Sequence, residues 1–305
     1  MIFRELLRLL FVLFVATFVT FSMLYTDPDT VAEDILIMRD MMPNQEDIEA
    51  IKNEYGLNKP FLLQYTRWIE SVSRGDFGYS HSLDKPVVEE FLQRLPNTLM
   101  LSVYSITFLI FFSLLFGILA ATYKGSIIDK GVNILSAIAI SIPTFWMGLI
   151  LILIFIVHFR LFELTNMNNP KNILLPAISL ALPLIGRYAI LIRATFLDQL
   201  DANYITGAKI RGVSSVGIVF RHILPNAIVA ILPPLGISIG AILGGTVIIE
   251  TVFGIHGIGN MVIAAIDHTD YPIIKSFVLF MTSIYLFMSF SIDWLSKLID
   301  PRLRQ

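Results

Sequence analysis

The feature that most constrains this chain is a series of long apolar blocks with no Asp, Glu, Lys or Arg. Three such blocks occupy residues 95–123, 131–157 and 222–249. A bilayer core of about 30 Å needs roughly 20 apolar residues in a helix, because unpaired backbone groups are too costly in hydrocarbon. With 55% hydrophobic and 15% charged residues overall, the composition indicates a protein whose solvent is the membrane.

The pattern predicts an all-α polytopic membrane protein with six transmembrane helices. We place them at residues 6–25, between 94 and 124, between 130 and 158, at 173–192, between 221 and 250, and at 273–292. The first follows Arg4 and Arg8 and lacks a small-residue cleavage site, so we expect a retained anchor rather than a signal peptide. Pro183 in the fourth is compatible with a helix whose neighbours satisfy the freed carbonyl.

Charge distribution predicts the orientation and the domains. Lys and Arg collect on one side if both termini are cytoplasmic, whereas residues 26–96 contain 14 acidic and 7 basic residues, a net charge of −7. We therefore predict an N-terminal transmembrane helix at 1–25, an extracytoplasmic domain at 26–96 and a core transmembrane domain at 97–295. A cytoplasmic tail follows at 296–305.

Several functions are excluded by what the sequence lacks. A net charge of −2 without basic runs argues against nucleic-acid binding, and zero cysteines exclude disulfides and thiolate metal sites. No phosphate-binding GxxxxGK[ST] loop and no paired nucleophile and base occur, so we expect no catalytic residue. The predicted spans contain almost no ionisable residues, with Arg187 as the only clear case, which disfavours an ion-coupled carrier. That carrier and an intramembrane enzyme stay the alternatives.

The cytoplasmic loop at residues 194–222 carries the most specific motif. It contains Asn203-Tyr204-Ile205-Thr206-Gly207-Ala208-Lys209-Ile210-Arg211-Gly212-Val213. We predict two short helices joined at Gly212, because glycine takes positive φ without a steric penalty. The apolar residues predicted to be exposed there are Tyr204, Ile205, Val213 and Val216. They would bind a partner or rest on the membrane surface.

This loop resembles the EAA loop of binding-protein-dependent ABC importer permeases. In that family an alanine, a glycine four residues later and a downstream Leu-Pro share the spacing of Ala208, Gly212 and Leu224-Pro225. Thr206-Gly207 replaces the usual Glu-Ala, which is similar to the peptide and nickel branch. The resemblance implies docking on an ATPase through Tyr204, Ala208, Lys209, Arg211, Gly212, Val213 and Pro225.

The resemblance extends along most of the chain and includes Gly75-Asp76-Phe77-Gly78, Ser141-Ile142-Pro143 and the terminal Asp300-Pro301-Arg302. It implies the type I ABC importer permease fold, with a kinked pathway helix at Pro143 and Trp146 and an outer cap at 250–272. The implied cap and pathway residues are Glu250, Phe253, His256, Gly257, Gly259, Asp270 and Pro272.

We expect the cap to be a non-helical re-entrant segment, with Gly254, Gly257 and Gly259 allowing a tight backbone. His256 stands where relatives often have proline. Because imidazole is a common metal ligand, His256 is a candidate contact for a metal or metal chelate, with plain loop surface as the alternative.

The resemblance also implies the function. This chain would be the permease subunit of an ATP-driven importer for peptides, nickel or metal chelates in the bacterial cytoplasmic membrane. It would bind no cofactor itself, since ATP and Mg would sit on two partner ATPase subunits. The further expected partners are a second permease, an extracytoplasmic substrate-binding protein and membrane lipid.

Overall fold

The computed structural model describes residues 2–25, 27–39, 41–163 and 170–299, and most of that length is helical. In chain order the α-helices are α1 Ile2–Met23, α2 Pro28–Met38, α3 Gln45–Tyr55, α4 Phe61–Ser73, α5 Val87–Thr122, α6 Ile127–Ser141, α7 Thr144–Leu151, α8 Leu174–Leu200, α9 Asn203–Ile210, α10 Ser215–Ile218, α11 Leu224–Phe253, α12 Ile258–Asp267 and α13 Tyr271–Ile299. Two-residue strands β1 (Tyr79–Ser80) and β2 (Lys85–Pro86) form a small antiparallel hairpin. The last residues of the predicted tail, 300–305, lie outside the described part of the chain.

The helices agree with the predicted number of membrane spans. Four helical stretches in the described residues are individually long and apolar enough to cross a bilayer: Val87–Thr122, Lys171–Leu200, Ser215–Phe253 and Tyr271–Leu298. Two bent pairs meet the same criteria together, Leu7–Met23 with Pro28–Met38 at 82° and Ile127–Ser141 with Thr144–His158 at 105°. Counting each pair as one span gives six.

The third predicted span is broken rather than continuous. We expected a kink at Pro143, but α6 ends at Ser141 and α7 begins at Thr144, with a bend of 105° between the two segments. Pro143 has no N–H to donate, and its ring pushes the preceding residue out of the helical region. Ile142 accordingly has φ −90° and ψ 126°.

The described chain divides into two compact units. The first combines residues 1–97 with 256–286. Helices α2 and α3 enclose a small core of Ala32, Ile35, Leu36, Ile48 and Ile51. A second apolar cluster joins the start of α5 to α12 and the start of α13, through Val87, Phe91, Ile258, Met261, Ala265 and Ile273.

Helix α4, which lies inside the predicted extracytoplasmic domain, packs along α1. The Tyr65 ring contacts Phe14, Phe18 and Phe21, and its hydroxyl lies 2.9 Å from Thr17 Oγ1. Phe14 and Thr17 are in the middle of α1 rather than at its end. Part of residues 26–96 therefore lies beside a predicted span, and that the whole segment is outside the membrane stays a prediction.

The second unit combines residues 98–255 with the described residues from 287 onward, and α8 lies at its centre. This helix packs against α6, α7 and α11. A Cβ added at Gly186 of α8 would lie 2.8 Å from the Ser136 carbonyl oxygen of α6. Small residues allow such close backbone approach between membrane helices, so Gly186 fixes the crossing of these two helices.

Candidate functional site

The predicted helix turn at Gly212 is present. Helix α9 ends at Ile210, and Gly212 has φ +77°. The Gly212 N–H donates to the Lys209 carbonyl at 2.9 Å, and the Val213 N–H donates to the Ala208 carbonyl at 3.2 Å. This is the Schellman arrangement, in which a left-handed glycine satisfies the last carbonyls of a helix.

The second helix of the predicted pair is not a separate short element. Its start is capped by Ser214, whose Oγ accepts from the Gly217 N–H at 3.2 Å, and from Ser215 the helical chain continues to Phe253. Pro225 is the second residue of α11, and a π-helical turn at Val219–Ile223 directly precedes it. Because Pro225 cannot donate a backbone hydrogen bond, a local change of helical pattern is expected there.

Exposure around this turn divides the loop into an anchoring face and a free face. Ile205 and Ala208 are fully buried in the core of the second unit, so the prediction that Ile205 is exposed was wrong. The two residues are three apart and share the inner face of α9. On the other face Ile210 is 82% and Val216 68% exposed.

The remaining predicted coupling residues lie around that free face. Tyr204 is exposed, and its hydroxyl donates to Gln199 Oε1 at 2.6 Å. Lys209 and Arg211 are exposed, whereas Val213 is half-buried. The surface therefore combines apolar side chains with positive charge.

An ion pair that the sequence analysis missed holds α8 just before this loop. Arg193 Nη2 donates to Asp129 Oδ2 at 2.8 Å, and Nε donates to Oδ1 of the same carboxylate. The Gly125 N–H and Asn133 Nδ2 also donate to Asp129, each at 2.8 Å. Bidentate charge-assisted hydrogen bonds are strong and directional, so the connection between α5 and α6 is tied to α8.

The first part of the predicted cap ends α11 with a second Schellman turn. Gly254 has φ +65°, and the Ile255 N–H donates to the Glu250 carbonyl at 2.8 Å. Phe253 and Ile255 are buried. The Glu250 side chain is also buried, and its Oε1 accepts a hydrogen bond from Thr98 Oγ1 at 2.7 Å.

The rest of the cap is mostly helical, contrary to the expected non-helical segment. Gly257 precedes α12 with φ −104° and ψ −178°, and Gly259 lies within α12. Only Gly254 of the three predicted glycines needs a left-handed backbone. The apolar run from Ile258 to Ala265 buries one face in the cluster with α5 and α13, which explains why this stretch is a helix.

Asp270 connects the cap to the hairpin. It is fully buried, and its Oδ2 accepts from Ser80 Oγ at 2.7 Å, from the Ser82 N–H at 3.0 Å and from Ser82 Oγ at 2.7 Å. A Cβ added at Gly78 would lie 3.5 Å from Pro272 Cβ. The carbonyl of His256 accepts from Asn97 Nδ2 at 2.8 Å. Asp270 and Pro272 thus hold the hairpin on the start of α13.

Trp146 and His256 are both exposed. Trp146 is exposed on α7, just after Pro143. His256 is exposed, and the described residues contain no group of three or more His, Cys, Asp or Glu that could hold a metal ion. A metal contact at His256 would need ligands from a substrate or another chain.

The prediction that Arg187 is the only clear ionisable residue in a span needs correction. Arg187 is exposed on α8, but Glu250 lies in the candidate span Ser215–Phe253, and Lys275 lies in Tyr271–Leu298. Glu250 was placed outside because the predicted fifth span ended before it, and Lys275 was not counted because it lies at the edge of the predicted span 273–292. A helix that continues beyond its apolar block into charged residues is harder to recognise from the sequence, because the hydrophobic pattern ends with the block.

Comparison with known proteins agrees with this architecture. The family described as binding-protein-dependent transport system inner membrane component matches residues 113–305, and the corresponding N-terminal family matches residues 1–102. The chain is 36% identical over 265 residues to the probable peptide ABC transporter permease protein y4tP of Sinorhizobium fredii, covering 84% of this chain and 85% of the relative. It is 31% identical over 305 residues to the nickel import system permease protein NikB of Staphylococcus aureus, covering 98% and 90%.

Proposed function

Because this chain belongs to the family of binding-protein-dependent transport system inner membrane components, it is a membrane permease subunit, and we propose that it imports peptides, nickel or metal chelates. One relative is named for peptides and another for nickel. The ion-coupled carrier has no comparable support. ATP hydrolysis would belong to separate ATPase subunits, with ATP and Mg bound there and no cofactor bound here.

The observation that carries the coupling role is the free face of the Gly212 turn. Helix α9 is anchored through Ile205 and Ala208, while Ile210 and Val216 are mostly exposed beside Lys209. Exposed apolar side chains within a polar rim are typical of protein–protein contacts. We assign Tyr204, Lys209, Arg211, Gly212, Val213 and Pro225 to a surface that docks on an ATPase subunit, and the buried Ala208 anchors the helix behind that surface.

Transport would follow from movement of this anchored helix. ATP binding closes the ATPase pair and shifts α9, and the Arg193–Asp129 ion pair passes that shift to α8 and the connection before α6. A conformational switch of this kind requires that nucleotide favour one of two states. We assign half of the pathway to this chain, and a second related permease would supply the other half.

The cap is proposed to contact a substrate-binding protein outside the cell. The Lys and Arg distribution favours cytoplasmic termini, which would place residues 26–96 and the cap on the outer side of a bacterial cytoplasmic membrane. Glu250, Phe253, Gly257, Gly259, Asp270 and Pro272 then maintain the cap, and Pro143 and Trp146 shape the adjoining pathway helix. His256, being exposed, is the residue most open to a metal chelate.

Uptake in cells lacking this gene tests the substrate class. Labelled peptide and labelled nickel are supplied, the nickel both free and with a chelating metabolite. Loss of peptide uptake alone identifies a peptide importer and removes His256 from consideration. Loss of nickel uptake only with chelator identifies a metal-chelate importer, and unchanged uptake of all three contradicts the proposal.

The variant Gly212→Asp tests the coupling surface in the same cells. We expect uptake at background level with normal membrane insertion, because the turn would be strained and a charge added to the docking face. Gly75→Asp is the matched control, since Gly75 also has positive φ and open space around its Cβ position. Normal uptake by the Gly212 variant would refute the assignment.

A further inference from the structure

Among the described residues, Lys275 is a cation with no acidic side chain paired to it. It lies in the second turn of α13, half-buried, and its Nζ is 4.8 Å from the centroid of the Phe21 ring. No Asp or Glu of the described residues forms a salt bridge with it. A cation–π contact stabilises an ammonium only partly, and removing a charge from water without an anion is costly. The site is therefore electrostatically incomplete.

A cavity of about 110 Å³ adjoins Lys275. Its walls come mainly from the end of α1, from α2 and from the start of α13, and they are mostly apolar, with Phe21 and Ile35 among them. Gln64 and His81 add polar lining. An apolar cavity of about 150 Å³ admits a benzene-sized molecule, so this space accepts a small group. Lys275 supplies positive charge at its edge.

An apolar groove of about 340 Å³ lies one helical turn farther along the same helices. On α1, Phe21 lines the cavity and Thr17 lines the groove. On α13, Lys275 lines the cavity and Leu279 lines the groove. Residues four apart share one helix face, so the cavity and the groove are neighbours on both helices. Tyr65 of α4 lines the groove from its other side.

The order of charge and apolar surface matches one kind of ligand. Lys275 is near the first residue of the candidate span Tyr271–Leu298, and Leu279 is deeper within it. On α1 the groove continues past Phe14 to Leu10, away from the helix end that lines the cavity. The cation thus stands at the membrane boundary, and the groove extends from it into the hydrocarbon.

We propose that this site holds one anionic phospholipid of the surrounding bilayer. Its phosphate pairs with the Lys275 ammonium at the cavity, and one acyl chain lies in the groove between α1, α4 and α13. Anionic headgroups are attracted to basic pockets between membrane helices, and the apolar groove gives the chain a binding surface. A soluble anion would bind the Lys275 ammonium but would not occupy the apolar groove.

Lipid retention by the purified importer tests this proposal without reference to the transported substrate. The complex is extracted in detergent with phosphatidylglycerol as the probe lipid. Detergent washing then removes loosely bound lipid, and native mass spectrometry counts the phospholipids that stay bound. We expect one retained anionic lipid for each copy of this chain. Lys275→Met should retain it about fivefold less well, since one basic residue contributes on the order of 1 kcal/mol to anionic-lipid attraction.

Three further variants separate headgroup, chain and folding effects. Lys275→Arg keeps the charge and should retain the lipid, whereas Leu279→Trp fills the groove and should reduce retention. Lys124→Met is the matched control, because Lys124 is exposed at the end of the apolar α5 and lines neither space. Equal retention by Lys275→Met and wild type overturns the proposal. So does displacement of the bound anion by inorganic phosphate, or retention unaffected by Leu279→Trp, since either identifies a free-anion site.

Discussion

The turns at Gly212 and Gly254 are built alike but present opposite surroundings. In both, a helix ends at a glycine with positive φ, +77° and +65°, and the following N–H donates to the carbonyl five residues earlier. Neither glycine has an atom within 4 Å of an added Cβ. The local motif is thus the same, and it follows from glycine's freedom at a helix end.

The residues that flank the two turns differ in their exposure to solvent. Before Gly212, Ile210 is 82% exposed, whereas Ile255 after Gly254 is fully buried. One turn has an exposed apolar side chain beside it, and the other places its isoleucine in the core of its own unit. Turn geometry alone therefore does not determine whether the neighbouring side chains are exposed.

The largest predicted effect comes from truncating the two isoleucines. Ile255→Ala should lower the free energy of unfolding by about 2–5 kcal/mol because it leaves a cavity in a packed core. Ile210→Ala should change it by no more than about 0.5 kcal/mol but weaken co-purification of the ATPase subunits. Thermal unfolding and pull-down of the complex measure both effects. Equal destabilisation by the two variants would break the comparison.

A smaller loss is expected at the hairpin side of the cap. Asp270→Ala removes the acceptor for Ser80 Oγ, Ser82 Oγ and the Ser82 N–H. Ser80 is fully buried whereas Ser82 is exposed. Leaving the buried Ser80 donor unsatisfied costs about 1–3 kcal/mol, so the melting temperature should fall and protease should cut the hairpin faster. Asp270→Asn keeps an acceptor oxygen and should lose less.

Asp267→Ala is the matched control for Asp270, because Asp267 is exposed three residues earlier. It should melt like wild type. If Asp270→Ala also melted like wild type, the hairpin would not depend on this carboxylate, and the cap would be held by its apolar cluster alone.

The two glycines should respond equally to alanine. Gly212→Ala and Gly254→Ala each place a Cβ at positive φ in open space, which costs about 1–2 kcal/mol per residue. Melting curves of the two variants, recorded side by side, measure this loss of stability. Losses that differ by more than the experimental error would show that the two turns are not the same motif. Uptake should separate them, since only Gly212 belongs to the proposed docking surface.

The sequence predicted the features that depend on neighbouring residues. Long uncharged blocks predicted three of the apolar stretches long enough to span a bilayer, one of which is a bent pair of helices. The glycine in the loop at 194–222 predicted the turn at Gly212. It did not predict the pairs Arg193–Asp129 and Asp270–Ser80, because these residues are 64 and 190 positions apart and nothing local distinguishes them. At Pro143 the position was predicted, but the size of the bend depends on helix packing.

The smallest predicted effect concerns pH at the hairpin. Burial lowers the pKa of His81, and the Asp270 carboxylate opposes this less strongly. The folded pKa then lies below the unfolded value of about 6.5. The unfolded chain therefore binds more protons in this range, and stability that is present above that pH is lost as pH falls through the folded pKa.

The difference between wild type and His81→Gln isolates this contribution from other titrating groups. Melting temperatures from pH 8 to pH 5 should fall more steeply for wild type than for His81→Gln, as about 1.4 kcal/mol corresponds to each unit of pKa difference. His268→Gln, which changes an exposed histidine of the same unit, should follow wild type. Coincident curves for wild type and His81→Gln would mean that the burial of His81 makes no contribution to stability between pH 5 and pH 8.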